Sequence, residues 1–182
     1  EDTAYFVNRQ LSLTGKAGTD MLDKFAVAVK DVAKMTGMSS KAISRNAMIM
    51  AKDTANYGNM TEQALARVSA ALNQLNLDAA DMTKMLGGFP GFETAAEKVG
   101  TLTSVFGLHL DAMEMMRLAN EDQEQFLHRM RDSFMEQGMA VEDMTLAQKQ
   151  LIQSQLGLGS IESVEKFLSP DIDMSSMEEL MD

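Results

Sequence analysis

The sequence predicts an all-α protein: an irregular stack of about nine short helices with tight Gly-, Asp- and Ser-capped connections and no sheet. Three observations predict it. Apolar residues recur at spacings of three and four along most of the chain, whereas strand-like alternation is confined to Leu11 and Leu13. The composition, with Pro 2, aromatic 5% and Met 18, favours helix. Glycines and polar caps interrupt the pattern often enough to keep each helix short.

Residues 1–18 read as a leader continuing from further sequence, because the chain starts at Glu1 without a methionine. The leader carries Tyr5, Phe6, Val7, Leu11 and Leu13 before Gly15 and Gly18. Residues 19–169 read as one multi-helix domain. Its first helix starts at Thr19 or Asp20, presents Met21, Leu22, Phe25, Val29, Val32 and Ala33, and stops at Gly37. Ser39 or Ser40 caps a second, with Ala42, Ile43, Ala47, Ile49 and Met50, ending near Tyr57-Gly58. Asn59 to Glu62 is a cap-and-return pair before Ala64, Leu65, Val68, Ala71, Leu72 and Leu75. Asp78 opens a short helix.

The chain is organised around residues 86–120. Gly87 or Gly88 can take the left-handed conformation that closes a helix, and Pro90 cannot continue one. Phe89 and Phe92 flank Pro90-Gly91, so this turn is expected to dock into a core. Ala95, Ala96, Val99, Leu102, Val105 and Phe106 then form one helical face, and Gly107 ends it. Asp111 with Glu114 is an acidic variant of the capping box. Asn120 and Gln123 are the expected cap of the next helix, which holds Phe126, Leu127, Met130 and Phe134 and stops at Gly138. Thr145 with Gln148 forms a further capping box, and Ser160 caps a last helix that breaks before Pro170. Residues 170–182 form an acidic, Met-rich C-terminal tail that could hold one more turn after Ser175.

With no cysteine, disulfide scaffolds, thiol catalysis and thiolate metal sites are excluded. A net charge of -11 argues against stable nucleic-acid binding and against a polybasic membrane contact. No apolar run approaches the roughly 20 residues that span a bilayer. The two histidines, His109 and His128, lack the spacing of a helical zinc pair. Leucines flank His109, which suits a structural place, and His128 beside Arg129 suits a solvated face. Asp171, Asp173 and Ser175 have the odd spacing of a calcium loop, but Ser176 stands at the glycine position and Asp182 at the glutamate position. The helix dipole accounts for Glu121, Asp122 and Glu124 without catalysis. No catalytic residue, cofactor site or metal site is assigned.

Methionine is the unusual abundance. Met113, Met115 and Met116 are nearly adjacent, and Met115 and Met116 cannot both point at one core. Methionine fills irregular gaps and makes adaptable interfaces. Phe89, Phe92, Met113, Met115 and Met116 are therefore the candidate interface.

The run from Asp78 to Met85, followed by Phe89-Pro-Gly-Phe-Glu-Thr-Ala-Ala-Glu-Lys-Val-Gly-Thr-Leu-Thr-Ser-Val-Phe-Gly-Leu-His-Leu-Asp-Ala-Met-Glu-Met-Met116, resembles a segment of the tail tape-measure proteins of tailed bacteriophages. The shared features are a phenylalanine-rich turn, a Glu/Ala-Ala helix, a Gly-x-x-Leu-Asp link and a Met-rich helix. The likeness continues through Asp122-Gln-Glu-Gln-Phe126, Phe134 and Gly138, then Lys149 to Leu158, and covers residues 35–168. It departs from the family's pattern at Pro90-Gly91.

The resemblance implies a structural virion protein without enzymatic activity or cofactor, in the lumen of the tail tube or at the tail tip. Such proteins set tail length and leave ahead of the genome at infection. The implied partners are tail-tube, baseplate-hub or tail-tip proteins and copies of the chain itself, with a trimer favoured. Membrane contact is implied only during ejection. Two alternatives stand beside it. One is an oligomeric helical scaffolding or adaptor module outside phage tails. The other is a helical cell-wall hydrolase, which requires a cleft around Glu114 or Glu136.

Overall fold

The computed structural model describes residues 18–169, with side chains from residue 23 onward. The leader, the calcium-loop reading at Asp171, and the acidic tail lie outside the described residues. The helices, in order, are α1 (Gly18–Thr36), α2 (Ser40–Lys52), α3 (Thr54–Tyr57), α4 (Glu62–Gln74), α5 (Ala79–Gly87), α6 (Phe92–Phe106), α7 (Ala112–Glu121), α8 (Gln123–Glu136), α9 (Leu146–Leu156) and α10 (Ile161–Phe167). A short 3-10 turn at Val141–Asp143 precedes α9. No strand occurs among the described residues, and the fold is all-α.

Where one domain was expected over 19–169, the described residues pack as two compact units, 18–74 and 75–169. The division falls just after α4. There Asn76 takes a left-handed conformation, φ 52°, which asparagine tolerates better than most side chains.

In the first unit α1, α2 and α4 pack on one another. Ile43, Ala47, Met50 and Ala51 of α2 meet Leu65, Val68 and Leu72 of α4 in a core from which water is excluded. Two polar contacts tie the same helices. Asn46 Nδ2 donates to Asn73 Oδ1 at 2.9 Å, and the Ser69 hydroxyl donates to the Ile43 carbonyl. The single second helix expected up to Tyr57 is two helices. Asp53 ends α2 and caps α3, its carboxylate accepting from the Asn56 N–H at 3.2 Å. The cap of α4 is Thr61, whose Oγ1 accepts from the Ala64 N–H at 3.2 Å, rather than Asn59.

The second unit holds α5–α10, with α6, α7 and α8 packed in sequence and α9 against α10. Its centre is aromatic. Phe89 meets Phe126 edge-on, ring centroids 5.1 Å apart at 69°, and Phe106 meets Phe134 at 5.9 Å and 57°. Asp78 and Asp81 form a reciprocal capping box on α5, and Thr145 and Gln148 form the expected one on α9. Asp111 and Ser160 cap as expected. The cap of α8 is Asp122 rather than Asn120. The Asp122 carboxylate accepts from the Gln125 N–H, while the Asn120 amide donates back to the Met116 carbonyl inside α7. At the end of α5 both glycines stay out of the left-handed region, and Gly88 closes the helix at φ -80°.

Gly157, which ends α9, does need that region, with φ 71°. A Cβ there would also sit 3.2 Å from the Lys84 Cβ. Gly138 has φ 63° and open space around it. Gly157→Ala is therefore expected to destabilise the protein by about 2 kcal/mol and Gly138→Ala by about 1 kcal/mol. Denaturant melts of the two variants check the order, and equal losses would remove the role given to the Lys84 contact.

Candidate interaction surfaces

The five candidate interface residues separate into two groups. Phe89 and Met115 are fully buried. Phe89 belongs to the aromatic centre against Phe126, because the turn at Pro90 folds its ring inward. Met115 shares the buried face of α7 with Leu118 and Ala119, three and four positions on. Both are core residues, which corrects their assignment to an interface. Phe92 and Met113 remain on the surface at 53% and 54% exposure, and Met116 is half-buried. Met113 and Met116 line a shallow depression of about 350 Å³ with Glu114, Arg117, Asn120 and Glu121. Phe92 does not line it.

The histidines exchange their expected places. His128 is buried on the inner face of α8, next to Leu127 in sequence, and His109 is exposed. The sequence context of His109 misleads because Gly107 ends α6. From there on, the loop carries Leu108 inward and His109 outward. Among the described residues the His109 backbone is engaged, its carbonyl accepting from Arg129 Nη2 at 2.8 Å.

Glu136 is exposed and pairs with Arg129 at 3.7 Å, Glu114 lies in the shallow depression on α7, and Glu142 lines a separate depression with Lys149 and Lys166. No cluster of three or more His, Asp or Glu side chains could hold a metal ion among the described residues. No described helix is long and apolar enough to cross a membrane.

A feature that sequence reading missed lies in the first unit. Between α1 and α2 runs a groove of about 860 Å³. Phe25 and Val29 of α1 and Met48 and Ile49 of α2 supply its apolar wall. Lys30, Lys41, Arg45 and Lys52 stand along it, with Asp23 the one acid among the lining residues. Ile49 was expected on the buried face of α2 but is 50% exposed. The signal was present in the spacing. Ile43, Asn46, Ala47, Met50 and Ala51 follow the three-four pattern of one face, and Ile49 falls outside it. Asn46 takes the inward place because Asn73 satisfies its amide.

In comparison with known proteins, no family model, no curated protein and no solved structure matches the chain.

Proposed function

We propose that the chain is a segment of a phage tail tape-measure protein, a structural virion component of the tail tube or tail tip that associates with copies of itself. The observation that carries this reading is the resemblance of residues 78–116 and their continuation to Leu158. The all-α architecture of short capped helices is consistent with a globular region of such a protein rather than with the long measuring rod. The net charge of -11 supports it physically, because an acidic chain does not adhere to DNA that must pass through the same tube. Phe92 and Met113 are the exposed apolar side chains of the candidate interface and would meet a neighbouring copy or the tube wall.

Cross-linking mass spectrometry on purified virions tests the reading. Lys84 and Lys166 are exposed and suit the reagent, whereas Lys98 Nζ is held by the Gln155 carbonyl at 3.0 Å. Cross-links from Lys84 or Lys166 to tail-tube or hub proteins are expected. In the isolated chain, Phe92→Ser combined with Met113→Ser should leave stability within about 0.5 kcal/mol while weakening self-association in sedimentation. A chain that is monomeric at all concentrations and has no tail partner would overturn the proposal.

A further inference from the structure

The two units differ in charge. Residues 18–74 carry seven Lys and Arg against five Asp and Glu, a net +2, whereas residues 75–169 carry seven against fifteen, a net -8. In the first unit the positive charge gathers at the groove between α1 and α2, where Lys30, Lys41, Arg45 and Lys52 stand with Asp23 as the one lining acid. Among the described residues Lys30, Lys41 and Arg45 make no ion pair. The wall beneath this basic rim is apolar, and Ile49 within it is 50% exposed.

The second unit presents a complementary surface on α7. Met113 is 54% exposed, Met116 stands three residues on, and Glu114, Arg117 and Glu121 flank them around one shallow depression. Arg117 pairs with Glu121 at 3.7 Å, so the charge in excess there is negative. Dimensions agree. Met113 to Glu121 spans about 12 Å at the helical rise, within the span of about 18 Å from Ser40 to Lys52 along the groove. Neither surface suits itself. Groove against groove would set four cations against four, and α7 against α7 would set acid against acid.

We propose that the groove between α1 and α2 is the docking site for α7 of a second copy of this chain, with Ile49 seated between Met113 and Met116 and with Lys41 and Arg45 meeting Glu114 and Glu121. Side chains of one helix seat between those of another in such a crossing. Methionine suits a wall of mixed shape because its flexible thioether adapts to irregular surfaces. The two surfaces differ, so the contact repeats head to tail, into a ring or an open chain. It is complete without any contact between the two units of one chain. The contact deepens the self-association proposed above, on which it rests, by naming the opposing surface, and it holds wherever the copies meet.

Because the chain has no native cysteine, each single-cysteine variant has one thiol. Ile49→Cys and Met113→Cys, both at exposed positions, are prepared separately as full chains, one with a size tag, and mixed under mild oxidation. The mixed disulfide dimer should form about tenfold or more faster than either homodimer. Ile49→Cys mixed with Val105→Cys, an equally exposed apolar position off α7, should form no faster than the homodimers. Lys41→Glu with Arg45→Glu in the first partner should bring the mixed rate down to that background, and Glu114→Lys with Glu121→Lys in the second should restore it. A chain carrying both Ile49→Cys and Met113→Cys should give a ladder of linked copies. Equal mixed and homodimer rates would overturn the contact. If the chain still self-associates in sedimentation, only this surface is lost, whereas a chain monomeric at all concentrations overturns the proposed self-association as well. A charge swap that fails to restore the rate would also overturn the contact. So would a double-cysteine chain that closes on itself as a monomer.

Discussion

Phe126→Ala is expected to destabilise the second unit by about 3–5 kcal/mol, which is a large share of the roughly 5–15 kcal/mol that holds a typical domain together. The ring is fully buried and stands edge-on to Phe89, itself fully buried at the turn before α6. Truncation removes the transfer free energy of the ring and leaves a cavity that the ends of α5, α6 and α8 can only partly close. Phe89→Ala should cost a similar amount. The double variant should lose less than the sum, because the edge-on contact itself contributes about 0.5–1.5 kcal/mol beyond burial. With two compact units in the chain, unfolding need not be two-state. The loss is therefore best read by hydrogen exchange in α5–α8. A loss below about 1.5 kcal/mol in Phe126→Ala would mean that this pair is not the centre of the core.

Arg131→Met is the second large effect. Arg131 lies on the buried side of α8, and its guanidinium reaches the end of α10, where Nε donates to the Phe167 carbonyl at 3.1 Å and Nη2 to the Ser169 carbonyl at 2.8 Å. The last carbonyls of a helix have no partner within it, and the helix dipole makes that end negative. A planar cation answers both needs. Methionine keeps much of the packing and removes the donors, so the expected loss is about 2–3 kcal/mol. Arg131→Lys should recover less than half, because one ammonium cannot reproduce the two fixed directions of the guanidinium. Urea unfolding of the three proteins decides it. If lysine restores full stability, the contribution is charge at the helix end rather than the paired hydrogen bonds.

Most helix ends were legible in the sequence because a cap is a local device. A serine, threonine or aspartate satisfies an N–H two or three residues on, whatever the rest of the chain does, and Ser39, Asp78, Asp111, Thr145 and Ser160 all cap where their spacing says. Gly37, Gly107 and Gly138, read as stops, close helices in the left-handed region for the same reason, and so does Gly157, which was not read as one. The caps read wrongly were those with two polar candidates close together. Asp122 prevailed over Asn120, whose amide donates to the Met116 carbonyl within the preceding helix, and Thr61 prevailed over Asn59.

Composition and local spacing thus set the all-α class, most helix ends and most of the residues that share an inward face, though Ile49 and Val105, expected inward, are exposed. They did not set what each face meets. Met113, Met115 and Met116 are chemically identical, and rotation about one helix axis puts one inside, one half inside and one in water. Phe89 and Phe92 are three residues apart, yet one turn sends the first against Phe126 and leaves the second exposed. The basic groove needed residues from α1 and α2 to be brought side by side, and the boundary after Gln74 needed the cores on either side of it to form separately. Periodicity reports which residues share a face of one helix. Only packing between helices, a matter of contacts distant in sequence, decides whether that face is buried, pairs with a charge, or stays open for a partner.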